Sequence, residues 1–175
     1  ILPEVDDGSR SLNESIEMAM IAKEQGITKI VNTSHYHPDF RYKKGEELLK
    51  ELEDFNNVLK ENMIDIEVVI GNEIYYTKDL IKEIDELDFY TLNNSRYILI
   101  ELPPTNFPKD LCNIVYELKE KNYIPVFAHV ERYREVQENP ELIYEVINAG
   151  AIIQVNSHSI LGKSGKELQK VCNTL

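Results

Sequence analysis

A chain of 175 residues with 42% hydrophobic and 29% charged side chains is long enough to bury one core and has the balance of an ordinary globular protein. Its 19 Lys and Arg against 31 Asp and Glu give a formal charge of −12. That excludes a broad basic footprint for nucleic acid but not an anionic substrate, since a few metal ions or arginines reverse the field locally. No apolar run reaches the roughly 18 residues of a membrane span, and the distant cysteines Cys112 and Cys172 form neither a disulfide framework nor a zinc-ribbon spacing, which points to a reducing cytoplasm.

The predicted elements alternate. "SLNESIEMAMIAKEQG" carries Leu12, Ile16, Met20 and Ile21 as a helical stripe, with Ser11 as N-cap, Glu14 at capping-box distance and Gly26 as the stop. "ITKIVNTS" (27–34) is short, β-branched and apolar and reads as a buried strand. A helix over "GEELLKELEDFNNVLKENM", a strand over "IEVVIGNE" (66–73) and a short helix over "KDLIKEIDEL" follow. A strand over "RYILIEL" (96–102) stops at Pro103-Pro104, and "PKDLCNIVYELKEKN" reads as a helix with Pro108 in its first turn. Then come a strand over "IPVFAHV" (124–130), a helix over "NPELIYEVINAG" ending at Gly150, a strand over "AIIQVNS" (151–157) and a helix from "SGKELQKVCNTL". Five apolar strands alternating with helices predict a parallel sheet of the α/β class, either doubly wound or part of a barrel. No linker or composition break divides the chain, so a single domain over residues 1–175 is expected.

The unusual polar residues sit at strand ends. His35 and His37 follow the first strand, Glu73 ends the second and Glu101 the third. His129, Glu131 and Arg132 end the fourth, and Asn156 and His158 the fifth. In parallel α/β folds the carboxyl ends of the strands share one face, so three histidines and Glu73 are expected to converge there as nitrogen and oxygen ligands suit a metal. Taken singly, each has a plainer reading. A lone strand-end His is commonly capped or solvated, Glu73 could cap the next helix, Glu131 reads as structural, and His37 and His158 read as loop residues. Asp6-Asp7-Gly8 alone reads as a turn. Thiol chemistry is disfavoured: Cys112 and Cys172 lie in helical segments, and no Arg follows Cys112 as in a phosphate-binding thiol loop. Neither G-x-S-x-G nor G-x-x-x-x-G-K occurs.

Together "ILPEVDDGSRSLNESIEMAMIAKEQGITKIVNTSH", "GNEIYYT", "LNNSRYILIEL", "PVFAHVERY" and "IIQVNSHS" resemble the bacterial PHP-type protein tyrosine phosphatases of capsule and exopolysaccharide operons, the CpsB/CapC/YwqE family. The resemblance spans nearly the whole chain in order; Glu4 departs from it where Gly is common. It implies a distorted (β/α)₇ TIM-like barrel. It also implies a fragment lacking both ends, because the family's H-x-H pair precedes "ILPGVDDG" and its D-x-H pair comes after the point where this chain ends. The implied metal ligands fall on Asp7, His35, Glu73 and His129, with Glu73 as a bridging, catalytic carboxylate and Arg132 as the catalytic, phosphate-contacting arginine. The implied cofactor is a divalent metal cluster, manganese first, with iron or zinc also suited to mixed N/O ligands. The implied activity is hydrolysis of protein phosphotyrosine, on a bacterial tyrosine kinase that controls polysaccharide export, in the cytoplasm, with no nucleic-acid partner, no membrane insertion and room for a homo-oligomer. The alternatives are a PHP phosphatase for a small ester such as histidinol phosphate, or a non-catalytic truncated module whose open sheet edges pair with other chains.

Overall fold

The structure, a computed structural model, describes residues 1–175 and falls into two compact units, residues 1–74 with 87–95 and residues 75–86 with 96–175. The first contains α1 (Leu12–Glu24), β1 (Lys29–Val31), β2 (Ser34–Tyr36), α2 (Gly45–Glu61) and β3 (Glu67–Val69), and β4 (Asn72–Tyr75) begins in it. The second contains α3 (Leu80–Glu83), β5 (Tyr97–Glu101), α4 (Leu111–Glu120), β6 (Ile124–Phe127), a 3₁₀ turn (Val130–Arg132), α5 (Arg134–Glu138), α6 (Glu141–Ala149), β7 (Ile152–Ile153), α7 (Ser157–Ile160) and α8 (Lys166–Thr174). The pairs β1–β3 and β2–β4 in the first unit and β5–β6–β7 in the second are all parallel, as the α/β reading expects.

In the first unit, α2 turns Leu48, Leu52, Phe55 and Leu59 inward, and they pack with Leu2, Ile64, Ile66, Val68 and Ile70. Each such side chain contributes roughly 1.5–3 kcal/mol by leaving water. Asn56 on the same helix bonds Val68 through both ends of its amide, at 2.8 and 3.0 Å, standing in for a neighbouring strand.

Each of the first two expected strands is in fact two. The run 27–34 breaks at Asn32-Thr33 into β1 and β2, and the run 66–73 breaks at Ile70-Gly71 into β3 and β4. Register shows both breaks at one level, Val31 opposite Val69 and Ser34 opposite Asn72. Two buried asparagines bracket the bend, and Asn72 takes over backbone bonding there. Asn32 donates its side-chain amide to Ser34 Oγ at 2.7 Å, while Asn72 donates to the Ser34 carbonyl at 2.9 Å and accepts from Tyr90 N–H at 2.8 Å. Gly71 sits so close to the opposite backbone that a Cβ there would lie 3.0 Å from the Asn32 carbonyl oxygen.

Helix α1 departs from its predicted stripe. It buries Ser15, Ala19 and Ala22, small residues that allow close approach, while Leu12, Met20 and Ile21 are exposed. Its ends were legible. Ser11 Oγ accepts from Glu14 N–H at 3.2 Å, although the Glu14 carboxylate takes the Arg10 N–H at 2.7 Å, one residue ahead of a true capping box. Gly26, at φ 80°, closes a Schellman motif in which Ile27 N–H donates to Ala22 O at 3.0 Å and Gly26 N–H to Lys23 O at 2.9 Å.

In the second unit, Ile98, Leu99 and Ile100 are all buried, the mark of a strand covered on both faces. They share a core with Leu111, Val115 and Leu118 of α4, Phe127 of β6 and Val146 of α6. Asp110, accepting from Asn113 N–H at 3.1 Å, caps α4, so Pro108 lies before the helix rather than in its first turn. Helix α6 ends at Gly150 with φ 107°, as expected. Strands β6 and β7 are shorter than predicted because the chain leaves the sheet after Ala128 and Gln154, whose N–H groups still donate to Ile100 O and Phe127 O, to build the turn described below.

Candidate metal-binding residues

In the first unit the bend re-aims the chain. It sets β2 beside β4 with His35 opposite Glu73, so neighbouring parallel strands put both side chains on one face. Each offers a ligand atom, and the two atoms lie within 4.8 Å of one another. Asp7 comes from the turn before α1, and its Oδ1 lies 3.4 Å from His35 Nε2. Asp6 holds the arrangement: its carboxylate accepts His35 N–H at 3.0 Å through one oxygen and Gly8 N–H at 3.0 Å through the other. The sequence reading left Asp6 outside the ligand set, and here it orients the residues on both sides of the Asp7–His35 pair.

In the second unit His129 takes a left-handed backbone, φ 37° and ψ 48°, unusual for a residue with a side chain. Gln154 enforces it, accepting His129 N–H on its side-chain oxygen at 2.6 Å and Val130 N–H on its carbonyl at 3.0 Å. The 3₁₀ turn follows, with Arg132 N–H donating to His129 O at 2.9 Å. His129 Nε2 faces Glu101 Oε1 at 3.5 Å. The sequence reading names Glu101 as a strand-end residue without placing it among the ligands; its signal is its place at the end of β5, next to the strand that ends before His129. The Arg132 side chain is exposed and lines a cleft of about 470 Å³ with Asn156, Ser157, His158 and Ser159. Beneath that turn Glu131 is fully buried, its Oε1 accepting from Ser159 Oγ at 2.8 Å and Asn156 N–H at 3.2 Å. This ties α7 to the turn. His37 accepts Asp39 N–H at 3.1 Å and packs edge-on against Phe40.

The donor chemistry suits a divalent ion. Separations of 3.4 Å for Asp7–His35 and 3.5 Å for Glu101–His129 exceed a normal hydrogen bond. Donors held about 2.1 Å from one ion lie roughly 3–3.5 Å apart, as these do.

The family description "Capsular polysaccharide synthesis, CpsB/CapC" matches residues 1–175. The chain belongs to the CpsB/CapC family. Among relatives, the tyrosine-protein phosphatase YwqE of Bacillus subtilis is 39% identical over 170 residues, 97% of this chain and 66% of that protein. CapC of Staphylococcus aureus is 36% identical over 172 residues, covering 98% and 67%. The tyrosine-protein phosphatase CpsB of Streptococcus pneumoniae is 31% identical over 160 residues, covering 91% and 66%. A chain from the crystal structures of B. subtilis YwqE and S. pneumoniae CpsB, described as unique metal-dependent tyrosine phosphatases, matches with a TM-score of 0.91 and 35% identity, covering 98% of this chain and 70% of that one. This CpsB/CapC chain thus spans about two thirds of the length of the curated relatives it matches.

Neither thiol of the CpsB/CapC chain is poised as a nucleophile. Burial, then Glu145 and Asp110, pushes the Cys112 thiol up, and burial, then Glu131, pushes Cys172 up, so both stay protonated at neutral pH. No helix is long and apolar enough to cross a membrane.

Proposed function

We propose that the chain supplies most of a metal-dependent protein-tyrosine phosphatase. The observation that carries this reading is the Asp7–His35–Glu73 group, three nitrogen and oxygen donors gathered on one unit of a chain whose family includes metal-dependent tyrosine phosphatases. In this reading Asp7, His35, Glu73 and His129 are metal ligands and Glu101 stands with His129. The ions are manganese, with iron or zinc compatible with the same donors. When bound, divalent ions offset the charge of the phosphoryl oxygens and acidify water near neutral pH.

The chain's own residues do the rest. Glu73, with two oxygens, can serve two ions. Asp6 fixes the His35 backbone, and Gln154 fixes that of His129. Arg132 presents a planar fork of donors to the phosphate, gripping it as the leaving tyrosine departs. No phospho-enzyme is needed, in keeping with two protonated thiols. The finer fold is the distorted (β/α)₇ barrel, supported by the match to the YwqE and CpsB structures. The substrate is phosphotyrosine on a kinase of polysaccharide export, and the setting is the cytoplasm.

The test is phosphate release from a phosphotyrosine peptide by the complete gene product with manganese. Glu73→Ala and His129→Ala should each lower turnover by at least about a hundredfold together with bound metal. Arg132→Ala should raise KM and lower kcat at full metal content; metal loss in that variant removes its assigned role.

A further inference from the structure

The segment between β2 and α2 carries an aromatic ladder that ends at the His35 ring. His37 packs edge-on against Phe40 with centroids 4.7 Å apart, Phe40 stacks on Tyr42 at 5.4 Å and 16°, and Tyr42 stacks on His35 at 6.0 Å and 30°. Together with Arg41 and Lys44 these rings line a cleft of about 330 Å³. Phe40 is 55% exposed, an expense of apolar surface beside a polar centre that core packing does not explain. His35 itself lies 3.4 Å from Asp7, so the ladder leads from solvent to the donors of the first unit.

We propose that this cleft is the aryl-recognition pocket, in which the ring of an aryl phosphate packs against the wall made by Phe40 and Tyr42 while its phosphate reaches the His35 end. The inference rests on the phosphatase reading and adds what the ligands alone lack, a means of preferring an aryl ester over an alkyl one. Nitrogen and oxygen donors around an ion grip any phosphate alike. Selection of tyrosine over serine therefore needs a flat apolar partner at a fixed distance from them, and aromatic packing against the Phe40–Tyr42 wall supplies it. Arg41 among the lining residues gives the cleft a positive charge in a chain of net charge −12, which favours an anionic ester, while Lys44 is paired with Asp88 at 3.3 Å.

The test compares Phe40→Ala with the wild-type complete gene product, loaded with manganese, on a phosphotyrosine peptide and the phosphoserine peptide of the same sequence. The aryl-to-alkyl ratio of kcat/KM should fall about fivefold, through KM on the phosphotyrosine peptide, and Phe40→Tyr, which keeps the ring face, should restore it. Equal losses on both peptides, or no change, would overturn the proposal. Calorimetric titration with phenylphosphonate and methylphosphonate separates it from the phosphatase reading. A preference for phenylphosphonate that Phe40→Ala abolishes supports the pocket even in a protein that hydrolyses neither peptide. Absence of that preference in the wild type removes the pocket even if turnover is found.

Discussion

Asp6 and Asp7 are adjacent carboxylates with different work. Asp7 points its oxygen at His35 Nε2, while Asp6 is spent on two backbone N–H groups, those of His35 and Gly8. Groups that hold a ligand in place tune metal affinity strongly. Asp6→Ala should therefore weaken metal binding by about 10- to 100-fold with the Asp7 and His35 side chains intact, measured by metal titration. A second polar cluster makes a pH statement. Burial opposes charge on Asp88, but the Tyr36 hydroxyl at 3.0 Å and the Lys44 ammonium at 3.3 Å outweigh it and hold the carboxyl below its ordinary value of 3.8, while burial and Asp88 push the Tyr36 hydroxyl up to about 12. A carboxyl whose folded pKa is depressed adds stability above its unfolded pKa, and that stability is lost as pH falls through the folded value. The Tm difference between wild type and Asp88→Asn should thus be present at pH 6 and close as the pH drops below 3.8; a difference that persists there would contradict the assignment.

At the scale of elements, the bend at Asn32 and Gly71 decides where His35 and Glu73 point. A Cβ on residue 71 would meet the Asn32 carbonyl oxygen and Leu92 at 3.0 Å and Val31 at 3.1 Å, the first of these being backbone with little room to yield. Gly71→Ala should cost about 1–3 kcal/mol and also weaken metal binding, because any relief of the clash moves β2 against β4. Gly26→Ala is the control. Nothing lies within 4 Å of a Cβ there, so only the left-handed φ of 80° is strained. It should cost about 1 kcal/mol by denaturant unfolding and leave metal affinity alone. A shared effect on affinity would show that the bend is not special.

At the scale of the molecule, a chain of net charge −12 sets carboxylates beside His35 and His129, an arrangement that bound cations relieve. On the phosphatase reading proposed above, removing metal with a chelator should therefore abolish turnover and lower the Tm, and both should return on adding manganese. Metal at 100 times its dissociation constant stabilises by about 2.7 kcal/mol, which is several degrees of Tm for a chain of this size. A chelator-treated protein with unchanged activity and unchanged Tm would exclude a resident metal. The variant Glu73→Ala should already show the lower Tm and respond little to chelation.

Much of this was written locally. Alternation of period, the cap at Ser11, the stops at Gly26 and Gly150 and the polar residues at strand ends are read from neighbours in sequence, and the parallel α/β order follows from them. The sequence by itself also pointed to Asp7, His35, Glu73, His129 and Arg132, because the quoted segments resemble one family over nearly the whole chain. Only the tertiary structure could decide which small residues α1 buries, that two apolar runs each break in the middle, and that Asp6, Glu101 and Gln154 belong with the donors. Those outcomes depend on what stands across the sheet. An apolar run reads the same whether straight or bent, and a carboxylate's role is fixed by the N–H or imidazole opposite it, 25 or more residues away for His35 and Glu101.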